Sequence, residues 1–140
     1  MKAIMDAAAL NDFLARDFPQ AQGFTVAEVT PDGVRMRLAV DNGSLRPGGT
    51  VSGPAMFALA DVAVYCAILS RIGPVALAVT TNASIDFMRK PAAGVALIAD
   101  CRLLKLGRAL AVGDVLIRSE GSDAVVARSS MTYSIPPKAG

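Results

Sequence analysis

The chain contains no histidine in its 140 residues. That removes the commonest general acid–base side chain and a frequent zinc ligand together. Chemistry is left to carboxylates, hydroxyls and backbone amides, and no metal site is expected. Cysteine is nearly as scarce. Cys66 and Cys101 lie far apart, in neither a metal-ligand nor a C-x-x-C spacing, so both read as small buried hydrophobes. The net charge is only +2 with the basic residues scattered, which leaves no electrostatic footprint of a nucleic-acid binder. At the N-terminus, Asp6, Asp12 and Asp17 interrupt the apolar run and no basic segment leads into a hydrophobic one. Residues 1–18 are therefore not read as a signal peptide, and a cytoplasmic location is expected.

What is present is a length that fits one domain, 1–140, able to bury a core without staples. Ile4, Leu10, Phe13 and Leu14 carry helix-compatible spacing over residues 4–17, closed by Pro19. From Phe24 to Val40 the pattern is that of two strands around the turn residues Pro31-Asp32-Gly33, with Arg35 and Arg37 marking a wet face. Asp41 to Gly49 reads as a loop. A second helix follows, with Ser52 as N-cap, Pro54 in the first turn, and Arg71 and Gly73-Pro74 at its end. Four β-rich runs complete the chain: Val75–Met88, Val95–Leu106, Ala109–Ser119 and Ala124–Ile135. The short turns between them predict antiparallel neighbours. The whole describes an α+β fold in which an antiparallel sheet wraps around a central helix.

That helix is apolar nearly all round, as a helix enclosed by protein must be. Residues 54–69 are apolar enough to suggest a membrane span, but the run is short, Asp61 sits in its middle, and strand-like segments flank it. No membrane association is expected. A carboxylate in such surroundings costs desolvation free energy unless it is hydrogen-bonded or chemically employed. Asp61 is accordingly the first candidate for function.

The Leu59-Ala60-Asp61 helix and the later Ile85-Asp86-Phe87-Met88-Arg89-Lys90-Pro91 resemble the hotdog-fold acyl-CoA thioesterases of the phenylacetate-pathway type. The similarity covers nearly the whole chain after residue 20. In that family the helix opens with Gly-x-x-His-Gly-Gly, and the acid follows the His by nine residues. Here those places read Gly49-Thr50-Val51-Ser52-Gly53-Pro54 and Asp61, without a gap. Three positions depart from the family pattern: Ser52 for the His, Pro54 for the second Gly, and Arg46 for a common Asn. The resemblance implies hydrolysis of acyl-CoA by a homodimer, often doubled into a homotetramer, with no cofactor beyond the coenzyme A of the substrate. It also places Thr80 where relatives carry a Ser or Thr beside the attacking water.

Thioester hydrolysis asks for a carboxylate that attacks or activates water, and for donors aimed at the carbonyl oxygen as it gains charge. Asp61 can supply the first, and the free N–H of Gly53 at a helix N-terminus the second, with the Ser52 hydroxyl as a further donor. Eight residues of helix separate Gly53 from Asp61, about 12 Å at 1.5 Å per residue. If both act on one carbonyl, they must come from two subunits related by a two-fold axis. A thiol leaves readily as thiolate, so the missing His is tolerable for a thioester. Thr80, Thr81 and Asn82 are small polar groups that can hold a water. Arg89, Lys90 and Arg108, with Lys105, are basic groups suited to the phosphates of coenzyme A. Met56, Phe57 and Tyr65 are candidates for an acyl pocket as well as for the core. The leading expectation is the thioesterase; the changes at positions 46, 52 and 54 make a non-catalytic acyl-CoA or hydrophobic-ligand binding protein the alternative, and an oligomeric scaffold without ligand fits the composition but leaves Asp61 unexplained.

Overall fold

The computed structural model describes residues 2–40, 51–75 and 77–137, and its elements follow in the order α1, β1, β2, α2, β3, β4, β5, β6. Helix α1 spans Ala7–Asp17, starting where Asp6 accepts the Ala9 N–H at 2.8 Å. This cap puts the helix start three residues after Ile4, which stays outside it and largely exposed, contrary to the expected 4–17 helix. Leu10, Phe13 and Leu14 are buried as the spacing required. On the same helix, the Asn11 amide accepts the N–H of Val26 at 2.8 Å and donates to its C=O at 3.0 Å. It thus satisfies one residue of an edge strand that would otherwise present bare backbone.

Strands β1 (Phe24–Val29) and β2 (Gly33–Leu38) form the expected hairpin. Val34, Met36 and Leu38 point inward, while Arg35 and Arg37 on the outer face pair with Asp100 and Glu120, both at 2.8 Å. Strands β3 (Val79–Phe87), β4 (Leu97–Leu106), β5 (Leu110–Ser119) and β6 (Val125–Ser134) complete one six-stranded sheet of order β1-β2-β4-β5-β6-β3, antiparallel throughout. One expectation fails here: β3 and β4 are consecutive in the chain but not neighbours in the sheet. The segment through Pro91-Ala92-Ala93-Gly94 is no hairpin turn. Instead it runs across the ends of β6 and β5: the Met88 N–H donates to Val126, the Ala92 N–H to the Ser119 hydroxyl, and the Glu120 N–H to Ala96. β3 is thereby left on an edge.

Helix α2 (Gly53–Ile72) touches all six strands. By length and composition it could cross a membrane, yet 72% of its most apolar window is buried inside the fold. It lies so close to β5 that a Cβ at Gly113 would come within 3.1 Å of Val64. Arg71 does more than complement the helix end as expected. Buried at 4% exposure, its guanidinium donates to the C=O groups of Gly33 and Thr30 at 2.9 and 2.6 Å and to the Ser70 hydroxyl, tying α2 to the β1–β2 turn. Burial lowers its pKa from the ordinary value, opposed by the charge of Asp32. Residues 41–50, where a loop is expected and which include Arg46, lie outside the described residues, as does Ala76.

Both cysteines are buried free thiols, as their spacing implied. Burial pushes the Cys101 thiol up to about 12 and the Cys66 thiol higher still, from an ordinary 9.0. The folded state therefore holds protons that the unfolded chain releases above pH 9, so stability falls as pH rises through that point. The loss is about 1.4 kcal/mol per pH unit for each thiol, and ends for Cys101 near pH 12. Thermal unfolding between pH 7 and 11 should show a steeper decline of Tm above pH 9 in the wild type than in a Cys66→Ala, Cys101→Ala variant. Parallel curves would contradict this assignment.

Candidate functional site

Asp61 stands in the third turn of α2, half-buried, at the point where the helix passes the β3 end of the sheet. Thr80 and Tyr133 are directly opposite one another in the β3–β6 register, so their side chains leave the same face of the sheet together. Both reach the acid: the Thr80 hydroxyl donates to Asp61 Oδ1 at 2.6 Å and the Tyr133 hydroxyl to the same oxygen at 2.7 Å. The Tyr133 hydroxyl is also 3.0 Å from the Asp61 main-chain oxygen. Two hydroxyls thus replace part of the hydration that the carboxylate loses among apolar neighbours.

Around this cluster lies a pocket of about 250 Å³, walled by Phe18, Val62, Tyr65, Ala78 and Val79. The rings of Tyr65 and Tyr133 stack at 6.2 Å and 26°, and Phe18 tilts against Tyr65 at 5.7 Å. Burial, with the charge of Asp61 as the second cause, pushes the Tyr133 phenol far above its ordinary 10.0, so it remains a donor. Tyr133 is the site residue that sequence reasoning missed. A signal existed: Ala127, Ser129, Met131 and Tyr133 alternate on one buried face of β6, and a phenol on such a face needs a partner.

A second pocket, of about 590 Å³, opens at the start of α2 between Ser52, Gly53, Pro54 and Met56 on one side and Phe87 to Pro91 on the other. Ser52 is the N-cap, its hydroxyl accepting the Ala55 N–H at 3.3 Å. Its own proton stays available to donate. Gly53 heads the helix, where a backbone N–H has no intrahelical partner. A Cβ there would come within 3.2 Å of the Phe87 ring, so glycine keeps the approach to that amide open. Arg89 and Lys90 are exposed on the rim.

Of the candidates, Asp61 and Thr80 are brought together, and Ser52, Gly53, Pro54, Arg89 and Lys90 form a separate group. Asn82 joins neither. A bulge between Thr80 and Asn82 pairs Asn82 with Thr132, which points to the face opposite Tyr133. Arg108 lies in the β4–β5 turn, at the sheet end of Val79 and Leu110 and so opposite to Phe87 and the Arg89–Lys90 rim. Met56 lines the second pocket, Tyr65 the first, and Phe57 is exposed at 38%.

Comparison with known proteins bears on the family and the fold. Residues 48–126 match the thioesterase superfamily. The fold superposes with a TM-score of 0.91 on a "putative thioesterase" from a Silicibacter species, 58% identical, covering 98% of this chain and 96% of that one. A mutant of the phenylacetic acid degradation protein PaaI from Thermus thermophilus is 29% identical with a TM-score of 0.70, over 85% of this chain and 98% of the other. A "putative esterase" of Deinococcus radiodurans is 32% identical over 104 residues, 74% of this chain and 68% of that protein. The sheet wrapped on one central helix is the hotdog fold.

Because the Ser52 cap bond is long, Ser52→Ala should cost about 0.5–1 kcal/mol, the low end for loss of a cap. Urea unfolding checks this, and a loss well above about 2 kcal/mol would mean that Ser52 supports more than the helix start.

Proposed function

The chain belongs to the thioesterase superfamily, whose chemistry is thioester hydrolysis, and from that premise we propose that it hydrolyses acyl-CoA at a site shared by two copies of the chain. The observation that carries the reading is the separation of Asp61 from Gly53 on one helix, in two different pockets. At about 12 Å apart they cannot act on the same carbonyl within one subunit. An antiparallel pair of α2 helices brings the Asp61 end of one copy to the Gly53 end of the other. Edge strand β3, with Phe87 and Val79 more than half exposed, and the exposed Phe57 on α2 supply an apolar surface for such pairing. The same two-fold would carry Arg108 of one copy toward the Arg89–Lys90 rim of the other, where coenzyme A phosphates would lie. A tetramer built from two such dimers is compatible with this arrangement.

In the reaction, the thioester oxygen accepts the Gly53 N–H and the Ser52 hydroxyl, both at a helix N-terminus that favours developing negative charge. Water attacks the carbonyl carbon while Asp61 takes its proton. The new C–O bond forms, the tetrahedral intermediate collapses, and the C–S bond breaks with its electron pair going to sulfur. The proton held by Asp61 then passes to the thiolate, giving free acid and coenzyme A. In the nucleophilic variant Asp61 attacks the carbonyl carbon directly, and the C–S bond breaks with its electron pair going to sulfur. Water then hydrolyses the mixed anhydride, returning the Asp61 carboxylate and the free acid while a proton from that water goes to the thiolate.

The test is thiol release from short, medium, long and aromatic acyl-CoAs by wild type and Asp61→Asn. Asp61→Asn should lower kcat by about 10²- to 10⁴-fold with the fold intact. Equal rates in the two proteins would sink the mechanism. No turnover by wild type together with saturable acyl-CoA binding would favour a binding protein instead.

A further inference from the structure

We infer that Tyr133 is a positioning residue that decides which oxygen of Asp61 reacts, by holding Oδ1 so that Oδ2 faces the thioester. This rests on the hydrolase reading above and adds a residue which that reading does not require. The hydroxyls of Thr80 and Tyr133 both lie within donating distance of Oδ1, at 2.6 and 2.7 Å, and the single Tyr133 proton is shared between Oδ1 and the Asp61 main-chain oxygen at 3.0 Å. Two donors on one carboxylate oxygen occupy its lone pairs. Among the described residues no donor approaches Oδ2, so the proton taken from water, or the bond made to carbon, falls to that oxygen.

The two donors are not equivalent. Thr80 comes from β3, which has a sheet partner on one side only within the chain. Tyr133 comes from β6, which is hydrogen-bonded to a neighbour on both sides, and its ring is stacked on Tyr65. Its hydroxyl also lies 3.0 Å from the Asp61 main-chain oxygen, so it gauges the carboxylate against the helix backbone itself. Exchange of the two carboxylate oxygens by rotation about χ2 would break both hydroxyl bonds at once. Because burial and the Asp61 charge keep the phenol protonated, the donor persists across the working pH range.

Tyr133→Phe removes the hydroxyl and keeps the ring on Tyr65. Steady-state thiol release with the best acyl-CoA of the panel should show kcat down about tenfold and KM within about twofold of wild type, with Tm little changed. A merely structural role would lower Tm without this split between kcat and KM. Thr80→Val, which strips the other donor from Oδ1, should act in the same direction and provides a second reading should Tyr133→Phe fold poorly. If neither variant lowers kcat, or the loss lies in KM, the inference is overturned while Asp61-dependent hydrolysis stands. An inactive wild type would overturn both readings and is distinguished by that result alone.

Discussion

The structure turns on one constraint: helix α2 must be apolar enough to be enclosed by a sheet and still carry a carboxylate. Every residue from Val62 to Arg71 is buried, and Asp61 stands immediately before that run. The fold solves the charge locally, by aiming a threonine and a tyrosine from two neighbouring strands at one of its oxygens. The register of β3 on β6 does the aiming. That register in turn depends on β3 crossing to the far edge of the sheet, so the topology and the acid are parts of one arrangement.

The same topology divides the working groups. The acid lies with Thr80 and Tyr133, whereas the helix-start donors lie with Phe87, Arg89 and Lys90 toward the other end of β3. On the proposed function, a single subunit holds two half-sites. Leaving β3 as an unpaired edge beside exposed apolar side chains is costly for an isolated chain, and becomes useful when a second copy covers it. Under the shared-site reading, assembly and catalysis use the same surface.

Much of this was legible in the sequence, for identifiable reasons. The enclosed helix announced itself by apolarity on all sides, and its caps by Ser52 and Gly73. Asp61 stood out because a charge has no place in such a helix without partners. Those partners were harder to read. Thr80 was placed by family resemblance, and Tyr133, 72 residues from Asp61, became visible only once the β3–β6 register was known. The sheet order was also misread, because Pro91 to Gly94 has the composition of a tight turn and local composition does not encode where the chain crosses. Asn82 was misplaced by one bulge, since a single extra residue reverses the face of a strand.

The shared site is tested most directly by complementation. Asp61→Asn and Gly53→Val, the latter closing the approach to the amide beside Phe87, should each be inactive alone, with Tm confirming that each folds. Mixed under conditions that exchange subunits, about half the dimers are hybrids, each with one intact Asp61–Gly53 pair, so about a quarter of the wild-type rate should return. No recovery in a mixture proven to contain hybrids, or full activity of Gly53→Val alone, would contradict a site built from two chains.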